Sequence, residues 1–440
     1  MIRRIDATKP KGRDELDALR RTLSIEHGMV SGEALADTEA SVRRILQDVR
    51  ERGDAAVCEW TRRLDGVDLA PEDLRVPEER LAEAYDAAAP EFRETVTRVR
   101  ESVRRFQRHI LQRSPKTLSR KGRRLRLLYR PLARVGVYVP GGKAFYPSTV
   151  LMTAVPALEA GVPQVAVACP PSDKGDVHPA VLATCRISGV AEVYRIGGVQ
   201  AVAAFAYGTE TVRPVEKIAG PGNLYVQLAK KLVYGRVDID SFAGPSEVVI
   251  LADSSAEARL VAADMLSQAE HDPGAAVLVT PDAALADAIV EELERQVVGL
   301  ERAEATREDL QRYSAVVLVA DLDKGAGVVN DLAPEHLQIV TRDPEAVLRG
   351  IRSAGAVFIG PWTPVAVGDY VAGPSHTLPT GGTARWASGL TANAFLRAMS
   401  VVEYDSKALA ADAPDIERLA EVEGLSAHAE SVRKRLKRNG

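Results

Sequence analysis

Glu335 and His336 stand side by side in the stretch LAPEHLQ, residues 332–338. On an extended chain neighbours point in opposite directions, so the two do not pair with each other. They can instead approach one substrate from two angles, as two groups serving separate proton transfers must. A solvated loop ahead of a strand accounts for the same residues more plainly. Gln268 and His271 lie three apart where a helical segment closes, and so share a face. A polar helix terminus, with His271 near the last carbonyls, explains them without a metal. Asp369 and His376 occupy a Gly/Pro-rich loop too irregular to be core, where an acid and an imidazole read as functional. Glu423 and His428 fall near the C-terminal end of the sequence, where polarity is ordinary.

Three Gly-rich turns follow short apolar runs. The first, residues 136–144, holds Tyr138, Gly141, Gly142, Lys143 and Ala144, with Pro147 opening the next helix. The second, 196–200, ends in Gln200, and the third, 219–223, ends in Asn223. The first comes near a phosphate-binding loop but fails its pattern, because Ala144 stands where Ser or Thr belongs. No G-x-G-x-x-G occurs in the chain. Each turn alone reads as punctuation at a strand end. Together, at one carboxyl edge of a parallel sheet, they would offer backbone N–H groups to a nucleotide. The two readings stand level. A basic run at 120–126, with Lys116, Arg130 and Arg134, admits an RNA-binding patch, but its interleaved leucines fit a solvated hairpin edge better.

These residues need a scaffold, and the apolar pattern supplies one. Short apolar runs at 133–139, 164–169, 192–196, 216–220, 247–251, 275–279, 315–319 and 355–360 alternate with helical segments. That alternation predicts an α/β protein with parallel sheets and crossover helices, two sheets rather than one. Residues 238–241 are the expected crossing between them. Ahead of this the chain reads helical. An N-cap is expected at Asp37 or Thr38, before Val42, Ile45, Leu46 and Val49, and a second stripe runs from Val96 to Ile110 after Pro90. The tail from about 387 also reads helical. A length of 440 residues suggests two or three domains. Lys+Arg 57 against Asp+Glu 61 leaves a net charge of −4, with no global pull toward nucleic acid or anionic membrane. The 3 cysteines form no CxxC and no even framework, which excludes a disulfide scaffold and a thiolate zinc site. A metal, if held, must use some of the 7 histidines with oxygen ligands. A charged start without an apolar core, and apolar stretches broken by Pro156, Glu159, Gly161 and Pro163, predict a cytoplasmic protein with no membrane span.

Taken in order, RVGVYVPGG (134–142), YPSTVLM (146–152), KIAGPGN (217–223), DSFAGPSEV (240–248), LSQAEHD (266–272), LAPEHLQ (332–338), GDYVAGPSHTLPTGGTAR (368–385) and EGLSAH (423–428) closely resemble the histidinol dehydrogenase family. The resemblance implies two interlocked Rossmann-like units similar to the aldehyde dehydrogenase-like fold, with N-terminal helices and a small helical C-terminal dimerisation tail. It divides the chain into an N-terminal helical region (1–132), a nucleotide-binding unit (133–239), a catalytic zinc-binding unit (240–386) and the tail (387–440). One Zn2+ per subunit would be held by Gln268, His271, Asp369 and His428, with the imidazole and amine of the substrate completing the shell. Glu335 and His336 would be the acid/base pair. Ser246, His376 and Glu423 would contact substrate or support that shell, and Tyr138, Gln200 and Asn223 would hold NAD. Glu423 and His428 would reach into a partner's site, making the active unit a homodimer. The implied reaction is oxidation of L-histidinol to L-histidine with two NAD in succession, the end of histidine biosynthesis.

The residue chemistry agrees with these roles. Oxidising an alcohol requires a base for the hydroxyl proton while hydride leaves, which suits His336. The aldehyde must then gain an oxygen, through a thiol adduct or as a hydrate. No cysteine lies in a matched motif, so the hydrate is expected, with Glu335 activating water. Zinc would fix the substrate rather than polarise the reacting oxygen. Ala398, Met399, Trp386 and the turn 143–145 depart from the family's usual residues, and none is an expected ligand. Two other readings compete. A sister enzyme with the same zinc site would oxidise another small alcohol, such as a sulfonated diol. A non-catalytic nucleotide- or RNA-binding protein would use residues 120–134. The intact EGLSAH and AGPSEV segments argue for histidinol.

Overall fold

The computed structural model describes residues 2–24, 33–141, 145–172, 175–242, 244–271 and 273–437. Gly142, Lys143 and Ala144 of the first turn lie outside the described residues, as does Asp272. The strands run in chain order as β1 (Arg3–Asp6), β2 (Leu118–Arg120), β3 (Arg123–Pro131), β4 (Arg134–Tyr138), β5 (Gln164–Cys169), β6 (Glu192–Arg195) and β7 (Lys217–Ala219). They continue as β8 (Asp238–Ile239), β9 (Ser246–Ala252), β10 (Gly274–Thr280), β11 (Ala315–Leu318), β12 (His336–Val340), β13 (Ala356–Ile359) and β14 (Leu396–Tyr404).

Two wholly parallel sheets carry the chain, ordered β6-β5-β4-β7-β8 and β1-β11-β10-β9-β12-β13. Both wind the same way. The chain enters at a central strand, β4 or β9, steps outward twice, returns to the other side of its starting strand and steps outward again. The reversal leaves a crevice beside the first strand, the usual ligand site of such sheets. Helices cover both faces, so the strands are continuous apolar runs rather than alternating ones: β4 and β10 are buried throughout. On one face of the first sheet lie the helices Glu33–Arg52, Gly198–Tyr207 and Leu224–Val233. Pro147–Glu159 and Pro179–Ser188 cover the other. Gly136 in β4 lets the first of these layers close down, since a Cβ there would sit 2.6 Å from the Phe205 ring.

The apolar alternation therefore marks real strands, and the helix Pro90–Ile110 opens at its proline as expected. The crossing between sheets also falls where expected, because β8 ends the first sheet and β9 begins the second. Three elements differ. β1 is a strand rather than part of a helical region, and it adds to the edge of the second sheet beside β11. Residues 396–404 are not helical but form β14, which pairs antiparallel with β3 from Leu396↔Pro131 to Tyr404↔Arg123. The helices Ser406–Val422 and Ser426–Leu436 follow it. Asp37 and Thr38 lie inside the helix that starts at Glu33, so neither caps it. The basic run does form a hairpin edge, β2–β3, turning at Lys121 and Gly122, both at positive φ. No described helix is long and apolar enough to cross a membrane.

Candidate functional site

The second sheet places its polar cluster at the amino ends of two neighbouring strands. Ser246 and Glu247 open β9, and Glu335 directly precedes His336, the first residue of β12. Parallel pairing of β9 with β12 brings the two pairs together. Gln268 Nε2 donates to the Ser246 hydroxyl (2.7 Å), which donates to Glu335 Oε2 (2.7 Å). The Glu247 amide donates to the same oxygen at 3.0 Å. In return Glu247 Oε1 accepts from the amides of Glu335 (3.2 Å) and Gly381 (3.0 Å).

His336 Nδ1 lies 3.2 Å from the Glu247 carbonyl. A carbonyl only accepts, so the proton sits on Nδ1 and Nε2 is bare. That Nε2 is 4.0 Å from Asp369 Oδ1. His376 is oriented the same way, with Nδ1 bonded to the Asp369 carbonyl at 3.1 Å. Ser375 Oγ donates to the Met152 carbonyl (2.7 Å), which ties this loop to the helix Pro147–Glu159 of the first unit.

Burial dominates the electrostatics. It raises the Glu335 carboxyl to about 7, against the opposing pull of the Ser246 hydroxyl and Glu247 amide. It lowers both imidazoles, His336 and His376, to about 4, so both are neutral near pH 7. Asp369 is raised by burial and held down in part by His336. Glu247 is pushed up to about 8, first by burial and then by the charge of Glu335.

One chain thus gathers Ser246, Gln268, Glu335, His336, Asp369 and His376. His271 belongs to the same space, as an electrostatic neighbour of Glu335, His336 and His376. It sits in the turn after the helix Ala258–Ala269, not on a helix face with Gln268 as the spacing suggested. Glu423 and His428 are exposed on the C-terminal tail, and among the described residues no hydrogen bond or ion pair joins them to the cluster. Glu247 is the member of this cluster that sequence reasoning passed over. Its signal was a charge inside the otherwise apolar run of β9, a rare place for an unpaired carboxylate.

Among the described residues no three His, Cys, Asp or Glu side chains are grouped to hold a metal. The expected ligand set gives only His271 and Asp369 of those types from the body of one chain. Gln268 is an amide, and His428 lies on the tail. The donors nevertheless suit an ion of N/O preference. Gln268 has spent its Nε2 on Ser246, which leaves its oxygen. Among the described residues no Lys or Arg pairs with Asp369.

A cavity of about 780 Å3 lies at the carboxyl ends of the first sheet, lined by Tyr138, Pro170, Gly198 and Asn223 among others. The Tyr138 hydroxyl accepts from the Gly198 amide (3.1 Å), and Asn223 Oδ1 caps the helix Leu224–Val233 through the Val226 amide (3.2 Å). Gly220, at φ +127°, packs directly on the first turn, where a Cβ would come 2.1 Å from the Tyr138 carbonyl oxygen. Gln200 is wholly buried, and among the described residues its Oε1 has no partner. An orphaned acceptor beside a nucleotide-sized cavity fits a site that a bound group completes.

Two like-wound parallel units, one with such a cavity and one with a buried carboxyl–imidazole cluster, define an α/β enzyme with acid–base chemistry. A family model described as histidinol dehydrogenase matches residues 30–436. The histidinol dehydrogenase of Rhodopirellula baltica is 49% identical over 445 residues, covering 98% of this chain and 96% of the relative. A crystal structure of histidinol dehydrogenase from Elizabethkingia anophelis superposes with a TM-score of 0.92 at 32% identity, over 99% of this chain and 98% of that one. An acetylating aldehyde dehydrogenase from Geobacillus thermoglucosidasius is a distant match, at 13% identity and a TM-score of 0.46. The chain belongs to the histidinol dehydrogenase family, a family of oxidoreductases.

Proposed function

We propose that this chain is a zinc-dependent dehydrogenase that oxidises L-histidinol to L-histidine through L-histidinal, passing two hydrides in succession to NAD, in the last steps of histidine biosynthesis. The observation that carries the reading is the orientation of His336, whose Nδ1 is committed to the Glu247 carbonyl. Its bare Nε2 takes the hydroxyl proton as hydride departs. The aldehyde then adds water: Glu335, with its carboxyl near 7, takes the proton of that water, and protonated His336 returns its proton to the former carbonyl oxygen, which frees Nε2. His336 again accepts the hydroxyl proton when the second hydride leaves the hydrate. A thiol adduct finds no support in the cysteines. Burial raises Cys58 to about 11, Cys169 to about 12 and Cys185 further; Cys169 and Cys185 lie in a core of the first unit, and Cys58 is half-buried against the other.

Gln268, His271 and Asp369 of one subunit, with His428 of a second copy, would hold zinc, which supplies a fixed anchor for the imidazole and amine of the substrate. Ser246, His376 and that copy's Glu423 position the substrate around it. Tyr138, Gln200 and Asn223 hold NAD, the hydride acceptor. The exposure of Glu423 and His428 on the tail supports the homodimer. The change of sheet between β8 and β9 supports a nucleotide unit over 133–239 and a catalytic unit over 240–386, between residues 1–132 and the tail 387–440. The enzyme works in the cytoplasm, without nucleic acid or membrane.

Metal content measured together with histidinol-dependent NADH formation, before and after chelation, tests the reading. Metal-loaded protein that makes no NADH from histidinol would sink it, and NADH from a sulfonated diol instead would favour a sister enzyme. His336→Asn is expected to lower turnover by roughly 10²- to 10⁴-fold with zinc content unchanged. Loss of zinc would mean that base and ligand had been confused. Mixing inactive His336→Asn and His428→Asn subunits, with exchange confirmed, should restore roughly a quarter of wild-type activity, since half the dimers regain one intact site. No recovery would count against a site shared across the dimer.

A further inference from the structure

The nucleotide cavity holds a carboxylate that none of these roles uses. Asp65 is the last residue of the helix Asp54–Asp65, where Gly66 turns the chain away at φ 72°. An acid at a helix C-terminus faces the negative end of the dipole, whereas Arg62 and Arg63 beside it follow the favourable pattern. Asp65 is therefore misplaced for helix stability. It lines the cavity together with Tyr138, Gly198 and Asn223. Gln200 Nε2 donates to its Oδ2 at 3.3 Å, and among the described residues no Lys or Arg pairs with it. Burial without a cation lifts its carboxyl to about 6.

Its position in the fold is informative. In dinucleotide-binding sheets, the carboxylate that takes the ribose hydroxyls comes about 20 residues past the first Gly-rich turn, around the end of the second strand. Here β5 is that strand, and its end at Cys169, Pro170, Pro171 and Ser172 carries no acid; Asp173 beyond it lies outside the described residues, and Asp176 is taken up by Arg195 and Arg80. Asp65 arrives at the same place from outside the sheet. A Cβ on Gly197 would lie 2.8 Å from Pro170 and 3.3 Å from Asp65 Oδ1, so all three segments meet at the second turn. Gln200, rising from that turn, holds the carboxylate from behind.

We propose that Asp65 supplies that carboxylate: it accepts the hydroxyls of the adenosine ribose and repels a 2′-phosphate, so that the cavity takes NAD and rejects NADP. The inference rests on the reading of this cavity as the dinucleotide site. Arg44, on the same wall, has its guanidinium over the Trp60 ring, 5.5 Å from the centroid, and is the cation that a competing 2′-phosphate would seek.

Binding of NAD, NADP and a 2′-deoxyadenosine analogue of NAD to the metal-loaded enzyme, without histidinol, tests this by calorimetry. Wild type should bind NAD at least about 10-fold tighter than either other nucleotide, the worth of one charge-assisted hydrogen bond. Asp65→Asn should weaken NAD about 10-fold or more, leave NADP unchanged or tighter, and no longer distinguish NAD from its deoxy analogue. Equal weakening of all three would mark Asp65 as scaffold and overturn the proposal, as would wild type that binds NADP as well as NAD. The deoxy comparison on wild type decides even if the variant does not fold. Wild type that binds none of the three would overturn the cofactor reading, and this inference with it.

Discussion

Glu335→Gln is expected to stabilise the metal-stripped protein at pH 8 by roughly 3 kcal/mol while lowering histidinol turnover at least about 100-fold in the metal-loaded enzyme. The carboxyl is buried, and its folded value of about 7 stands above the ordinary carboxyl value of 4.5. Below pH 4.5 both folded and unfolded chains hold the proton, and the group is neutral to stability. As pH rises from 4.5 to 7 the unfolded chain ionises while the folded one resists, so the folded state loses about 1.4 kcal/mol per pH unit. Above 7 the loss is complete. Gln does not titrate, so its advantage over wild type should grow through that window and then level off. The amide keeps an oxygen to accept from the Ser246 hydroxyl and Glu247 amide, so the hydrogen bonds survive the exchange. Glu247 should add to the gain, because Glu335 is one of the charges that raise it. Urea unfolding at pH 5 and pH 8 measures the effect. A variant no more stable than wild type at either pH would show that Glu335 is ionised at no cost, and its role as a proton acceptor near neutrality would fall.

The residues that fold into this arrangement were unevenly legible. Runs such as QVAVAC and EVVIL announce buried parallel strands because helices cover both faces, which leaves no polar alternation to confuse them. β1 carries one deeply buried apolar residue, Ile5, in a stretch of Arg and Asp. Its strand character comes from the free edge of β11, more than 300 residues away, which no local pattern reports. β14 was misread for a similar reason, because its register is set by β3 and most of its side chains stay exposed. The motifs name the residues that cluster here, Ser246, Gln268, Glu335, His336, Asp369 and His376, but not how deeply they are buried. Nothing in LAPEHLQ says that Glu335 and His336 are both bonded to a single neighbour, Glu247, through its amide and carbonyl. That depends on the pairing of β9 with β12, a tertiary fact. The same limit hid Asp65, which reaches its cavity from a helix that precedes β4 by some 70 residues.

Lys230→Met is expected to destabilise the fold by about 3–5 kcal/mol, the usual cost of stranding one charge of a buried pair. Lys230 and Asp240 form an ion pair with side chains only 1% and 2% exposed, so water cannot take over the role of the lost partner. Each also holds the third Gly-rich turn. Lys230 Nζ donates to the Gly220 carbonyl (3.0 Å), and the Gly220 amide donates to Asp240 Oδ2 (2.7 Å). The pair thus clamps both polar groups of one peptide residue whose φ of +127° and contact with the Tyr138 carbonyl leave no room for a side chain. Asp240→Asn should cost a similar amount, because it strands the ammonium instead. Replacing both, as Lys230→Met with Asp240→Leu, should cost clearly less than the sum, since no charge is then left unpaired. Denaturant unfolding of the two single variants and the double variant measures the cycle. Additive losses would mean that the two residues act separately and that the turn is held by packing alone. If the clamp acts as described, the double variant should recover stability yet still bind NAD more weakly than wild type, because Gly220 loses its side-chain bonds in both cases. Recovery of both together would show that the ion pair serves the core and not the turn.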